Sequence, residues 1–181
     1  MRKKTMPTLD KLTAQAKMVW ESLRSESDNV VALMGAAYLD DLLMAMLAAC
    51  CIKDEDAVAD LLFDGKFAPL GTLAARTDAA YCLGLVGPNI RDTLDALRDI
   101  RNAFSHTYNT ITFDSHEGKM DRAYEALTRL VGTWRPMQGE WTRRLLFVFM
   151  VDRVAEHLLG HCPSLQCAQC SVDFGFSKRK K

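Results

Sequence analysis

No charge of one sign dominates this chain: 23 Lys and Arg balance 23 Asp and Glu, and the formal net charge is zero. A global basic field that would draw in nucleic acid is therefore missing, although local patches remain allowed. Linkers are missing as well. Ten glycines and five prolines are scattered over 181 residues, with no Gly/Ser tract, low-complexity run or internal repeat. The expectation is a single helical domain over 1–181, with a core at about 9–160. A short basic N-terminal tail (1–7) and a flexible C-terminal tail (161–181) would flank it. No apolar signal segment follows Met1, because Thr8, Asp10 and Lys11 keep the start polar. A cytoplasmic protein is expected.

Familiar chemistry is also scarce. There is no nucleophile elbow, no His-Glu-x2-His and no calcium loop, and Gly65-x5-Gly71 lacks the Gly-Lys-Ser/Thr ending of a phosphate loop. The six cysteines do not form the framework of a small secreted domain, since a chain this long can bury a core without staples. His161, Cys162, Cys167 and Cys170 offer zinc-type donors, but four ligands from ten residues are cramped and a second CxxC pair is missing. The expectation is no metal and no cofactor. Cys50 and Cys51, in an apolar helix, read as core residues.

What is present is helix periodicity. Apolar residues at 9, 12, 16, 19 and 23 predict a helix over 9–23. Ser25 to Asp28 is turn and N-cap chemistry, and a long helix over 29–51 follows. That helix is apolar enough to imitate a membrane span, but Asp40 and Asp41 sit at its centre. A carboxylate there costs roughly 2.5–3.5 kcal/mol in lipid, so a buried soluble helix is expected and no membrane. A shorter helix should run from about Lys53 to Phe63, capped by Asp54 or Asp56. Thr72 should cap another that reaches about Leu85, and Gly87-Pro88 restarts the chain. Further helices are expected over 89–105, 119–131 and 140–159. The stretch 107–115, with some strand character, reads as an extended loop. The fold class is an all-α bundle of six or seven helices.

The helix over 89–105 carries the most informative residues. A 3.6-residue period puts Asp95, Asp99, Asn102 and His106 on one narrow stripe. Leu94, Leu97, Ile100 and Phe104 form the adjoining apolar face. An imidazole in line with an amide and two carboxylates can be oriented and tuned near neutral pH. Arg101 lies about 140° around the helix but has the reach to join the same region. The candidate catalytic set is Arg101, Asn102 and His106, with Asp40, Asp41 and Asp99 as acidic support. The plainer alternative is a solvated polar face ending a helix. At least one of Asp40 and Asp41 should face the His106 region, with Arg76, Arg98 and Arg101 as available cations, because a carboxylate inside an apolar helix is costly unless paired or hydrated.

Several stretches together resemble a known family. They are Gly35 to Leu43, Leu61-Leu62-Phe63-Asp64-Gly65, Pro69 to Arg76, Ala80-Tyr81-Cys82-Leu83-Gly84-Leu85-Val86 and Arg98 to His106. The combination resembles the MtlR family of mannitol operon repressors, over roughly Ser27 to Asp114. That resemblance implies an all-helical transcriptional regulator. With no helix-turn-helix visible, it would act through a protein partner rather than by sequence-specific DNA binding. Arg101-Asn102-x3-His106 is also similar to the motif of HEPN domains, helical dimers that include metal-independent RNases. This second resemblance implies a homodimer with the motif near a two-fold axis. The alternative function it implies is RNA cleavage, with His106 moving a proton and Arg101 stabilising the charged phosphorane. A third reading is a purely structural partner-binding module.

Overall fold

The computed structural model describes residues 7–51, 55–64, 67–106, 111–116, 118–134 and 141–160, and of Leu9, Glu55, Asp56, His106, Thr133 and Trp134 the backbone alone. Among the described residues seven α-helices follow one another: α1 Leu9–Ser25, α2 Asp28–Ala49, α3 Glu55–Val58, α4 Leu73–Cys82, α5 Pro88–His106, α6 Gly118–Trp134 and α7 Arg143–Gly160. A π-helical turn, Ala59–Asp64, continues α3. No strand occurs among the described residues. The bundle is all-α, as the periodicity predicts.

α2 is the central post. It packs against α1, α4, α5 and α7. Neighbours on so many sides explain why its sequence is apolar nearly all round. It is the one described helix long and apolar enough to cross a membrane, and two-thirds of that stretch (67%) is covered by the bundle. Gly35 lets α7 come close: a Cβ there would meet Phe147 at 3.0 Å and Val151 at 3.2 Å. Phe147 then stacks on Phe113, ring centres 5.2 Å apart, and Phe113 meets Phe104 of α5 edge-on at 5.0 Å. This aromatic row ties α7, the 111–116 loop and α5 into one core.

The helix ends show where local chemistry sufficed. Thr72 caps α4 as expected, its Oγ1 accepting from the Ala75 N–H at 3.2 Å. α4 stops earlier than the expected Leu85, however. Gly84 takes φ +72°, and the Leu85 and Gly84 N–H groups donate back to the Ala80 and Tyr81 carbonyls. That is a Schellman ending, for which a glycine at the left-handed position is the natural residue. The helix expected from about Lys53 to Phe63 is, in its described part, α-helical only over Glu55–Val58 before it widens into the π turn Ala59–Asp64, a form that is rare and frequent at functional sites. α7 begins at Arg143, with Thr142 Oγ1 accepting from Leu145 N–H. Glu140, Asp54 and the 107–110 part of the expected loop lie outside the described residues. Within 111–116 the chain is non-helical, and Ile111 and Phe113 are buried. Cys50 is corrected from core to exposed: Met46 and Leu47 in the last turn of α2 are still buried, but Ala49 and Cys50 at its end face outward. Cys51 is half-buried, and both thiols donate to carbonyls one turn back.

Asp28 has a larger part than turn chemistry suggests. Its Oδ2 accepts from the Phe113 N–H at 3.0 Å and its Oδ1 from Arg144 at 2.6 Å. Arg144 also donates to the Leu23 and Glu26 carbonyls. One carboxylate and one guanidinium thereby satisfy the chain between α1 and α2 and fix it to α7.

Candidate functional site

α5 presents the two faces that its sequence predicts. Leu94, Leu97, Ile100 and Phe104 are buried. On the other side, Asp92, Asp95 and Asp99 line one wall of a cleft of about 690 Å³ between α5 and α6. Lys119, Arg122 and Arg129 of α6 line the facing wall, over a floor that includes Ala96, Ala123 and Ala126. No ion pair spans the two walls among the described residues.

The acidic stripe has a partner on its own helix, three residues from Asp95 and next to Asp99. Arg98 donates to Asp95 at 2.7 Å and to Asp99 at 3.3 Å. Asp99 is therefore committed to a structural ion pair on α5. Burial pushes the Asp95 carboxyl above its ordinary range, against the attraction of Arg98 and Arg91, with Asp78 and Asp99 adding to the rise. Desolvation outweighs pairing at this position.

Arg101 and Asn102 come together at the end of the same helix. Arg101 Nη1 donates to Asn102 Oδ1 at 3.0 Å, and no carboxylate pairs with Arg101 among the described residues. The guanidinium is thus oriented by an amide and keeps its charge uncompensated by a described neighbour. That suits a group that meets an anion or an acidic partner. His106 is the last residue of α5, and its imidazole lies outside the described side chains.

Asp40 takes the first of its three available cations. Its Oδ1 is 2.5 Å from Arg76 Nη1, and Arg76 is only 3% exposed while Asp40 is 24% exposed. Arg76 Nε donates to the Leu70 carbonyl at 2.8 Å, and the guanidinium lies 5.5 Å from the centre of the Phe63 ring. The pair therefore joins α2, α4, the π turn and the 67–71 loop. Asp41 is half-buried beside it on α2.

A second polar cluster escaped the sequence. Arg143 donates to Asp121 at 2.7 Å and to the Ser115 carbonyl at 3.1 Å, and His116 Nδ1 is 3.3 Å from both Arg143 and Asp121. The hydrogen bond from Arg143 is the main reason that the Asp121 carboxyl is held below its usual range. The guanidinium also covers the Tyr124 ring at 5.0 Å, and burial drives the Tyr124 hydroxyl far above the ordinary tyrosine value. Asp121 and Arg143 stand 22 residues apart, so no local pattern could have paired them. His161, Cys162, Cys167 and Cys170 lie outside the described residues. Among the described ones, no group of three or more His, Cys, Asp and Glu is placed to hold a metal ion.

No family model matches the chain, and no curated protein matches its sequence. A likeness to a solved structure does emerge, with 19% identity and a TM-score of 0.61 over 81% of this chain and 99% of the other. The fold is that of a chain in the X-ray structure of the MtlR–HPr complex from Escherichia coli.

Proposed function

We propose that this protein is an MtlR-like transcriptional regulator that acts by binding a protein partner and does not read DNA itself. The likeness of its fold to nearly the whole of a chain from the MtlR–HPr complex carries this reading. Charge supports it. The chain is neutral overall, and the three cations on the α6 wall face three carboxylates across a cleft. A phosphate backbone would meet both signs at once there, which disfavours non-specific DNA affinity.

The partner proposed is a protein of the HPr type, as in the complex whose fold this chain resembles. Purified protein titrated with E. coli HPr in a calorimeter should show saturable, one-to-one binding, roughly micromolar as for a transient regulatory contact. Operator DNA titrated in the same buffer should give no selective binding at physiological salt. Tight, operator-selective binding by the pure protein, together with no response to HPr, would overturn the reading.

A ribonuclease reading has one observation behind it: Arg101 and Asn102 are hydrogen-bonded together on the last turn of the helix that His106 closes. Incubation with mixed RNA in EDTA decides it. Cleavage that disappears in His106→Ala and Arg101→Ala would establish the enzyme. Intact RNA after prolonged incubation is the outcome expected of a regulator.

The assembly proposed is a two-fold homodimer with the Arg101–His106 segments near its axis. A cleft with one acidic and one basic wall is self-complementary about a two-fold axis along its length: the α5 wall of one copy then faces the α6 wall of the other. Asp92→Arg alone, or Arg129→Asp alone, would set like charges against each other and shift light scattering toward the monomer mass on dilution. The double exchange should restore the dimer. A monomer mass for the unaltered protein at micromolar concentration, or single variants that dimerise unchanged, excludes this interface.

A further inference from the structure

The cleft between α5 and α6 carries charge that the fold itself does not use. On the α6 wall, Lys119, Arg122 and Arg129 have no carboxylate partner among the described residues. Arg122 bonds only to its own helix, donating to the Gly118 carbonyl at 2.9 Å. On the α5 wall, Asp95 and Asp99 share Arg98, while Arg91 is turned away to Asp78 at 3.0 Å. Asp92 is exposed and has no cation beside it among the described residues. The α5 wall therefore stays negative and the α6 wall positive. Burial already lifts the Asp95 carboxyl, so a further cation in the cleft would be welcome there.

The shape of the cleft narrows the choice of occupant. Its walls run along two helices. At 1.5 Å per residue, Asp92 to Asp99 spans about 10 Å and Lys119 to Arg129 about 15 Å, roughly two to three helical turns. Its floor is made of small side chains, Ala96 and Ala123 buried and Ala126 half-buried. Alanines between two helices let a third helix come close, because the interaxial distance is set by the side chains at the contact. An extended segment fits worse. No strand occurs among the described residues, so no sheet edge is there to satisfy its backbone. Nucleic acid would meet the acidic wall.

We propose that this cleft receives a helix of the protein partner, basic along one flank and acidic along the other with small apolar residues between, and that the partner takes the place of the second copy there. The proposal rests on the protein-partner reading above and names the surface and the element that reading leaves open. Charge chooses the occupant. A basic flank meets Asp92, Asp95 and Asp99 while an acidic flank meets Lys119, Arg122 and Arg129, and a helix of one sign is repelled by one wall. Partner and second copy need the same two walls, so binding the one releases the other.

Amide NMR on the full-length, isotope-labelled protein tests it with three helical peptides of equal length and one Ala/Leu face. One carries Lys on one flank and Glu on the other, one carries Lys on both flanks, and one Glu on both. The mixed peptide should bind tightest, shift amides over 92–99 and 119–130, and lose affinity as salt is raised. Ala126→Met fills the floor of the cleft and should weaken it about tenfold or more. Lys119→Glu/Arg129→Glu, both on the surface, makes the two walls acidic and should move the preference to the peptide with Lys on both flanks. Light scattering of the same mixtures should pass from the dimer mass to that of one chain with one peptide. Shifts confined to another face, equal binding of the three peptides, an equal response to free lysine at the same concentration, no effect of either variant, or a dimer that persists with peptide bound would overturn the proposal. E. coli HPr titrated onto Ala126→Met separates the two readings. Undiminished HPr binding rejects this cleft and keeps the partner. Failure of HPr on the unaltered protein, with the mixed peptide still shifting 92–99 and 119–130, rejects that partner and keeps the cleft.

Discussion

Arg76→Met should cost about 3 kcal/mol of folding stability, read as a lower denaturant midpoint with an unchanged slope. Three losses combine. The Asp40 carboxylate loses its ion-pair partner, the Leu70 carbonyl loses its donor, and the Phe63 ring loses the cation beside it. Removing one member of a buried pair commonly costs about 3–5 kcal/mol, because the other charge stays behind without compensation. The lower end applies here because Asp40 is 24% exposed and water can reach it. Met fills similar volume, so the loss reports on charge rather than on a cavity. Asp40→Leu combined with Arg76→Met should recover much of it, since no lone charge then remains. A loss below about 1 kcal/mol for Arg76→Met would mean that this pair does not hold α2, α4 and the 67–71 loop together.

Phe147→Ala should cost about 3–5 kcal/mol, the range for truncating a buried aromatic into a cavity. Phe147 is fully buried between Gly35 of α2 and Phe113, and Phe113 meets Phe104 on α5. The loss should therefore travel along the aromatic row to the end of α5 that carries Arg101 and Asn102. A double-mutant cycle with Gly35→Ala tests the contact itself. Alone, Gly35→Ala places a methyl 3.0 Å from the Phe147 ring and should cost about 1–3 kcal/mol by overpacking. In the Phe147→Ala background the methyl enters the space vacated, and the same change should become neutral or stabilising. Strict additivity of the two changes in thermal or urea unfolding would show that the close approach is not what makes glycine necessary at 35.

The sequence by itself determined what depends on neighbours within a turn or two. The 3.6-residue pattern marked α1 and α5 to within a few residues, because one apolar stripe per helix follows from burying one face. Thr72 marked a helix start for the same local reason: its hydroxyl needs only the N–H three residues on. The all-apolar character of α2 already required a helix covered on most sides, and the resemblance to the MtlR family anticipated the fold likeness.

The tertiary structure alone decided how distant charges pair. Asp28 with Arg144, Asp40 with Arg76 and Asp121 with Arg143 join residues far apart in the chain, and each cation has several acids it could have chosen. The choice depends on which helix faces meet, and helical periodicity carries no information about that. The Asp95–Asp99 stripe shows the same limit from the other side. Its spacing was legible, but Arg98 claims both carboxylates, and the basic wall opposite comes from α6. The exposure of Leu61 and Phe67 belongs here too. Both would pass for core by hydrophobicity. Both are exposed, and in the π turn the inward position goes to Phe63, which is buried. Local sequence sets which side chains share a face, while the packing of the other helices sets what that face meets.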